Sequence, residues 1–200
     1  MVTRCAESLS GTKERIRQQM MKMGLIHCDE TSTRVDGKTI WVHNASNNEF
    51  TYLTISTKRG KIGMDEADVL PHYHGIIVHD CWSSYWLYED LAHAVCCAHL
   101  LRELTGIEQN YPEHTWAKEY KNLLLSMKKV RDKAVECEKI RLSYYHLHKF
   151  EKQYDKIISK ANEENPLPII KKRNVAKRKK EKCYPSSAAS IHTRNQSAYL

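Results

Sequence analysis

The chain has 200 residues, 41% hydrophobic and 28% charged, with a formal charge of +8. That is apolar material for one sizeable core and a small second one, and too balanced a composition for wholesale disorder. No run approaches the roughly 18 apolar residues of a membrane span, Met1–Thr12 has no apolar stretch of signal-peptide type, and the seven cysteines, odd in number with Cys96 and Cys97 adjacent, make no disulfide framework.

These features point away from membrane-spanning and secreted classes and toward a soluble protein of the cytoplasm. The positive charge is confined. Residues 171–200 hold nine Lys/Arg against one acid, Glu181, so the rest of the chain is neutral.

In chain order, residues 3–23 carry Ile16, Met20 and Met23 at helical spacing, with Gly24 placed to end the helix. It starts without a recognisable cap and reads as the tail of something longer. Strand-like runs follow. Leu25 to Arg34 is the first, Asp36-Gly37 turns the chain back, Thr39 to Ala45 is the second, and Phe50 to Ser56 the third, after the polar Asn47-Asn48-Glu49. Lys58-Arg59-Gly60-Lys61 is a basic loop. Met64 to Leu70 is predicted as a short helix stopped by Pro71, and Gly75 to Asp80 as a strand buried on both faces around Ile76-Ile77-Val78. Ser83 to Tyr88 is a short helix or turn, Ala92 to Ala98 a fifth strand, and His99 to Ile107 a helix. The meander gives an antiparallel side and the helical crossovers a parallel side, hence an α/β fold built on a mixed five-stranded sheet with helices on its faces.

Beyond Gly106 there is no glycine. Glu113 to Asn162 lacks proline too, and Trp116, Tyr120, Leu123, Met127, Val130, Ala134 and Cys137 alternate four-three as in a coiled-coil seam. The phase slips near Ile140 and resumes through Tyr144, Leu147, Phe150, Tyr154 and Ile157. Two antiparallel helices or one long helix with a stutter both fit. In the tail, Lys171, Lys172, Arg173, Lys177, Arg178, Lys179 and Lys180 form a self-repelling block suited to phosphate contacts; the plain alternative is a solvated tail that binds nothing in particular.

Asp29 lies within the first strand and Asp80 ends the fourth. An ionised carboxylate on a central strand is costly unless paired or bound to metal, and sites in open sheets form at the carboxyl ends of strands. If strands one and four are neighbours, both carboxylates reach one spot, and with a third they make an oxygen site for Mg²⁺ or Mn²⁺. The plain alternative is a turn cap and a surface residue. In an extended strand His93, Cys97 and His99 share a face, but their spacing with Cys96 fits no standard zinc pattern, and buried thiols with a satisfied histidine are the better reading. Arg102 and Glu103 follow on the next helix; Glu103 is either a third carboxylate or half of a surface ion pair. Trp82, Tyr85, Trp86 and Tyr88 either stack on bases or pack as core and lid.

Taken together, Asp29-Glu30-Thr31, Arg34-Val35-Asp36-Gly37-Lys38, Trp41-Val42-His43, Lys58-Arg59-Gly60-Lys61, Leu70-Pro71, Gly75 through Asp80, and Cys97-Ala98-His99-Leu100-Leu101-Arg102-Glu103-Leu104 resemble, in order and spacing, the catalytic core of the insertion sequence 66 type transposases, from about Leu25 to Pro168. The resemblance implies a ribonuclease-H-like fold and an Asp, Asp, Glu metal triad that cuts DNA ends and joins them to a target, with Asp29 as the first Asp and Asp80 as the second. It places Cys97, His99, Arg102 and Glu103 in a motif helix and makes Glu113 to Asn162 a helical insertion.

The chain then divides into a helical lead-in (1–24), a catalytic core (25–108), the helical insertion (109–165) and a basic, disordered tail (166–200). Lys58, Arg59, Lys61 and the tail cations are the expected DNA contacts, Mg²⁺ or Mn²⁺ the expected cofactor, transposon ends and target DNA the partners, and the insertion a means of pairing copies. Such a protein would work at the bacterial nucleoid.

The third acidic residue of the family, set in a segment rich in Asn, Glu and Arg after the insertion, has no counterpart, and Cys183 to Leu200 resembles nothing in the family. The expectation is a truncated, inactive transposase. Its alternative is a non-catalytic DNA-binding or dimerising regulator of an intact enzyme; a metal-dependent nuclease of the same fold is a third reading.

Overall fold

The computed structural model describes residues 2–165. The basic tail with its seven expected DNA contacts lies outside the described residues. The chain forms two compact units, one up to Cys96 and one from Cys97 onward.

The first unit opens with helix α1 (Val2–Met20), followed by strands β1 (Leu25–Val35), β2 (Lys38–Ser46) and β3 (Thr51–Ser56), the short helix α2 (Lys61–Glu66), β4 (Ile76–His79) and β5 (Ala92–Val95). The sheet order is β3-β2-β1-β4-β5. β1–β2 and β2–β3 are antiparallel, β1–β4 and β4–β5 parallel. The mixed five-stranded sheet is thus as expected. Asp36 and Gly37 set the first hairpin: φ is 49° and 75°, both positive as a two-residue type I′ turn demands, and Val35 pairs with Lys38 across it. At the next turn Asn47 Oδ1 accepts from the Glu49 and Phe50 backbone N–H groups at 2.8 and 2.7 Å, an Asx turn.

The two faces of the sheet differ. On one, Ile26, Cys28, Ala45, Tyr52 and Ile77 are buried under Met20 of α1, Met64 of α2 and the loop residues Val69, Leu70, Tyr73, Tyr85, Tyr88 and Leu91. The other carries Leu25, Leu53 and Ile55, which are 42%, 54% and 74% exposed. β4 is therefore fully buried on one face only: Ile77 and His79 are buried, Ile76 and Val78 half-buried.

α2 starts three residues earlier than predicted. Asp68, at φ 55°, separates it from a single 3₁₀ turn over Leu70–His72, so no helix runs on to Leu70. Gly63 lets α2 lie against the sheet, since a Cβ there would sit 2.2 Å from the Lys58 carbonyl oxygen and 2.5 Å from His43 Nε2.

The second unit is α3 (Cys97–Asn110), α4 (Thr115–Glu136) and α5 (Tyr144–Glu164). The phase slip is a real break, so the seam belongs to two antiparallel helices. Glu164 at the end of α5 accepts from Thr115 Oγ1 at 3.1 Å at the start of α4, and Lys160 pairs with Glu119. Trp116, Ala117, Tyr120, Leu123, Phe150, Ile157 and Ala161 fill the core with Leu104 and Ile107 of α3. The predicted strand Ala92–Ala98 is cut short: the Cys96 N–H donates to the His79 carbonyl at 2.7 Å, and α3 begins at Cys97.

Candidate active site

The site follows from strand register. β1 and β4 run parallel with Leu25 level with Ile76, Ile26 with Ile77 and His27 with Val78. The observed pairing stops there; the same register extended by two residues sets Asp29 against Asp80, one step past the end of β4. Alternation along each strand puts both on the open face: Asp29 follows the exposed Leu25 and His27, and Asp80 follows the half-buried Ile76 and Val78. Neighbouring strands are about 4.8 Å apart, a spacing at which side chains level on one face can share a cation. Local backbone fixes one oxygen of each: Asp29 Oδ1 accepts from the Glu30 N–H at 2.9 Å and Asp80 Oδ1 from the Trp82 N–H at 3.0 Å.

A third oxygen-bearing side chain joins the row. Asn44 on β2 lies directly opposite Asp29 and shares its face. Its Nδ2 donates to Ser46 Oγ at 3.4 Å, while its Oδ1 is buried with no hydrogen-bond partner among the described residues. Asn44 was invisible to motif reading because its place depends on antiparallel register; the Asp36-Gly37 turn, which fixes that register, was the signal that could have found it. An orphaned carbonyl opposite one carboxylate, with a second carboxylate on the next strand, is a donor chemistry that a hard divalent cation takes, so these residues fit Mg²⁺ or Mn²⁺. Among the described residues, no three His, Cys, Asp or Glu side chains converge as a metal-binding group.

The opposite face locks the two strands. Glu30, the next residue after Asp29, points inward with its side chain 2% exposed. It accepts from Tyr85 Oη at 2.8 Å and pairs with Arg59 at 3.0 Å. The Arg59 guanidinium sits between Trp41 and Trp82, 4.6 and 4.0 Å from their ring centroids, a cation–π sandwich. Tyr85 stacks on His79, the residue before Asp80, with ring centroids 4.6 Å apart. Burial, then the Glu30 charge, push the Tyr85 hydroxyl well above the usual phenol range, so it serves as a neutral donor. A line of contacts thus runs from the neighbour of Asp29 to the neighbour of Asp80.

His79 Nε2 lies 2.9 Å from His93 Nδ1, and His93 Nε2 lies 3.0 Å from the Tyr88 carbonyl oxygen, to which it donates. The other His79 nitrogen faces the Asp80 carbonyl oxygen. Burial pulls His79 down to about 4. Burial, then the Asp29 and Glu30 charges, push the Cys28 thiol up to about 12.

The remaining expected residues divide between the two units. Cys97, His99, Arg102 and Glu103 lie on α3 in the second unit; Cys97, Arg102 and Glu103 are exposed, and His99 Nδ1 is buried without a partner among the described residues. The shared face drawn for His93, Cys97 and His99 does not form, because the strand ends at Val95 and His93 turns to His79. In the basic loop, Arg59 is committed to Glu30, and Lys61 to Asp65 at 3.0 Å and to the Tyr88 ring at 4.4 Å. Lys58 is exposed, with its backbone N–H on Ser56 Oγ at 2.8 Å. Tyr85 and Tyr88 are core, Trp86 stacks on His93, and Trp82 holds Arg59.

A family model described as Transposase IS66 family matches residues 1–188. The match starts before Leu25 and runs past Cys183, wider at both ends than the motifs that carry the resemblance. No curated protein and no solved structure matches. No described helix is long and apolar enough to cross a membrane.

Proposed function

The chain belongs to the IS66 family of transposases, and from that premise we propose that its sheet unit is a metal-dependent core for DNA strand cleavage and strand transfer, with Asp29 and Asp80 as two of its carboxylates. The parallel pairing of β1 with β4, whose register extended by two residues sets Asp29 against Asp80, carries this reading. The strand order β3-β2-β1-β4-β5 supports a ribonuclease-H-like identity, and the α4–α5 hairpin answers to the helical insertion. Asp29 and Asp80 would hold Mg²⁺ or Mn²⁺, with Asn44 Oδ1 beside them. Such ions polarise phosphoryl oxygens and activate the attacking oxygen. The chain's own residues keep the two strands in register through Glu30, Tyr85 and His79 and orient both carboxylates by backbone N–H bonds.

The same reading makes the chain inactive alone. The segment rich in Asn, Glu and Arg in which the resemblance sets the third acidic residue has no counterpart in the sequence, so charge placement on the transferring phosphoryl group is incomplete, and one such contact is worth about 10²–10³ in rate. This observation also favours the second reading, a DNA-binding or dimerising regulator of an intact transposase at the nucleoid. The test is Mn²⁺ binding by the full chain, followed by electron paramagnetic resonance, beside plasmid nicking in Mg²⁺. A Mn²⁺ site weakened at least tenfold in both D29N and D80N, without nicking, is the expected result. Equal Mn²⁺ binding by wild type and both variants removes the metal core and leaves the regulator. Metal-dependent nicking by the isolated chain overturns the claim of inactivity.

A further inference from the structure

The end of the α4–α5 hairpin is unlike the rest of its unit. Ile140 is 102% exposed, Tyr144 80%, Tyr145 71% and Val135 63%, and none belongs to the core. Apolar and aromatic groups massed at one exposed end mark a contact surface.

The same segment is basic. Residues 128–149 hold seven Lys/Arg against three acids. One acid, Asp132, is taken by Lys128 at 2.6 Å and by Arg131. Lys129, Lys133, Lys139, Arg141 and Lys149 form no ion pair among the described residues.

The tip is also built rather than loose. α4 ends in a Schellman motif, with the Glu138 N–H on the Val135 carbonyl and the Lys139 N–H on the Ala134 carbonyl, both at 2.9 Å. Glu138 holds φ 54°, a conformation that glycine normally supplies. α5 starts with Ser143 Oγ accepting from the His146 N–H at 3.4 Å. Tyr144 lies parallel to His148, 5.7 Å away and 11° from coplanar. Strain of this kind persists where the surroundings over-determine a segment.

Taking DNA as the partner, we propose that this tip is a DNA-contact element: Tyr144 and Tyr145 stack on bases exposed at a strand end, while Lys139, Arg141 and Lys149 hold the adjoining phosphates. Exposed aromatic rings flanked by cations are the chemistry of single-strand recognition. Charge decides against a second copy of the chain as occupant, since two tips face to face would set unpaired cations against unpaired cations.

The experiment photocrosslinks the full chain to two 5-iodouracil oligonucleotides, a duplex with a single-stranded 3′ overhang and a blunt duplex, and maps the tryptic peptides. Crosslinking to the peptide from Leu142 to Lys149 is expected with the overhang and at least tenfold less with the blunt end. The Y144A/Y145A double variant should lose that crosslink and bind the overhang at least about thirtyfold more weakly. K139A/R141A should flatten the dependence of log K on log salt by about 1.4 to 1.8.

Crosslinks confined to other peptides, with Y144A/Y145A binding as the wild type does, overturn the proposal. So does a Y144A/Y145A change that converts dimer to monomer in light scattering while crosslinking persists, since the tip is then a self-association surface. Absence of binding to either probe defeats the underlying DNA reading, an outcome distinct from binding that bypasses the tip.

Discussion

The two units bury different things. The sheet unit contains every residue classed as buried and polar among the described residues: His43, Ser56, His79 and His93. It also inserts the Glu30 carboxylate under Tyr85 and Arg59. The helical unit closes over tryptophan, tyrosine, leucine, phenylalanine, isoleucine and alanine. In the first, partners far apart in sequence must meet in one geometry; Glu30 and Tyr85 are 55 residues apart. In the second, a repeating stripe suffices, and partners slide with little penalty. Precision is concentrated where Glu30 must meet Tyr85 and Arg59, and tolerance where a four-three stripe closes a hairpin.

Matched truncations in the two cores test that contrast most severely. Ile77→Ala, at a side chain with no exposure in the middle of β4, should cost about 4 kcal/mol in a urea titration followed by tryptophan fluorescence, because strands on both sides stop the cavity from collapsing. A loss below about 2 kcal/mol would show the sheet to be as forgiving as the helices.

The next effect is one of acidity. Unfolded histidine titrates near 6.5, and burial holds folded His79 at about 4, so between those values the unfolded chain binds a proton that the folded chain does not. Stability is therefore complete above about pH 6.5 and declines toward pH 4, by about 3 kcal/mol in all. Urea midpoints that match at pH 7 and pH 4.5 would refute the burial argument.

In the helical unit, Leu123→Ala, 5% exposed, should cost about 2.5 kcal/mol by ellipticity at 222 nm, near the lower end for such changes because the hairpin closes on the gap. Smallest, and opposite in sign, Glu138→Gly should raise stability by about 0.5–1 kcal/mol by relieving the positive φ. A loss there would mean that the Glu138 side chain contributes more than its backbone costs.

What could be read from the residues follows the same division. The Asp36-Gly37 turn, the meander and the helical seam were legible because each is local: a turn type, a period of two, a four-three repeat. Asp29 and Asp80 were legible as a pair only on the condition that strands one and four are neighbours, which the structure supplies. Asn44, the Arg59 sandwich and the His79–His93 contact were not legible. Each joins side chains whose separation in sequence says nothing of their distance, and Arg59 read as a free cation because its counter-charge comes from a strand 29 residues earlier. The seam itself could not choose between one helix and two; the stop after Glu136 rests on a backbone turn at Glu138 that no propensity marks.

Cys28 gives the sheet unit a clock. It sits one residue before Asp29, 6% exposed, and its thiol is held near 12, so in the closed sheet it is neither reachable nor a thiolate. An alkylating reagent can take it only in the moments when β1 parts from its neighbours. The slow fraction of labelling, set against the exposed Cys5 and Cys137, would count how often the strand that carries Asp29 comes undone, and binding that stitches β1 to β4 would be heard as a slower tick.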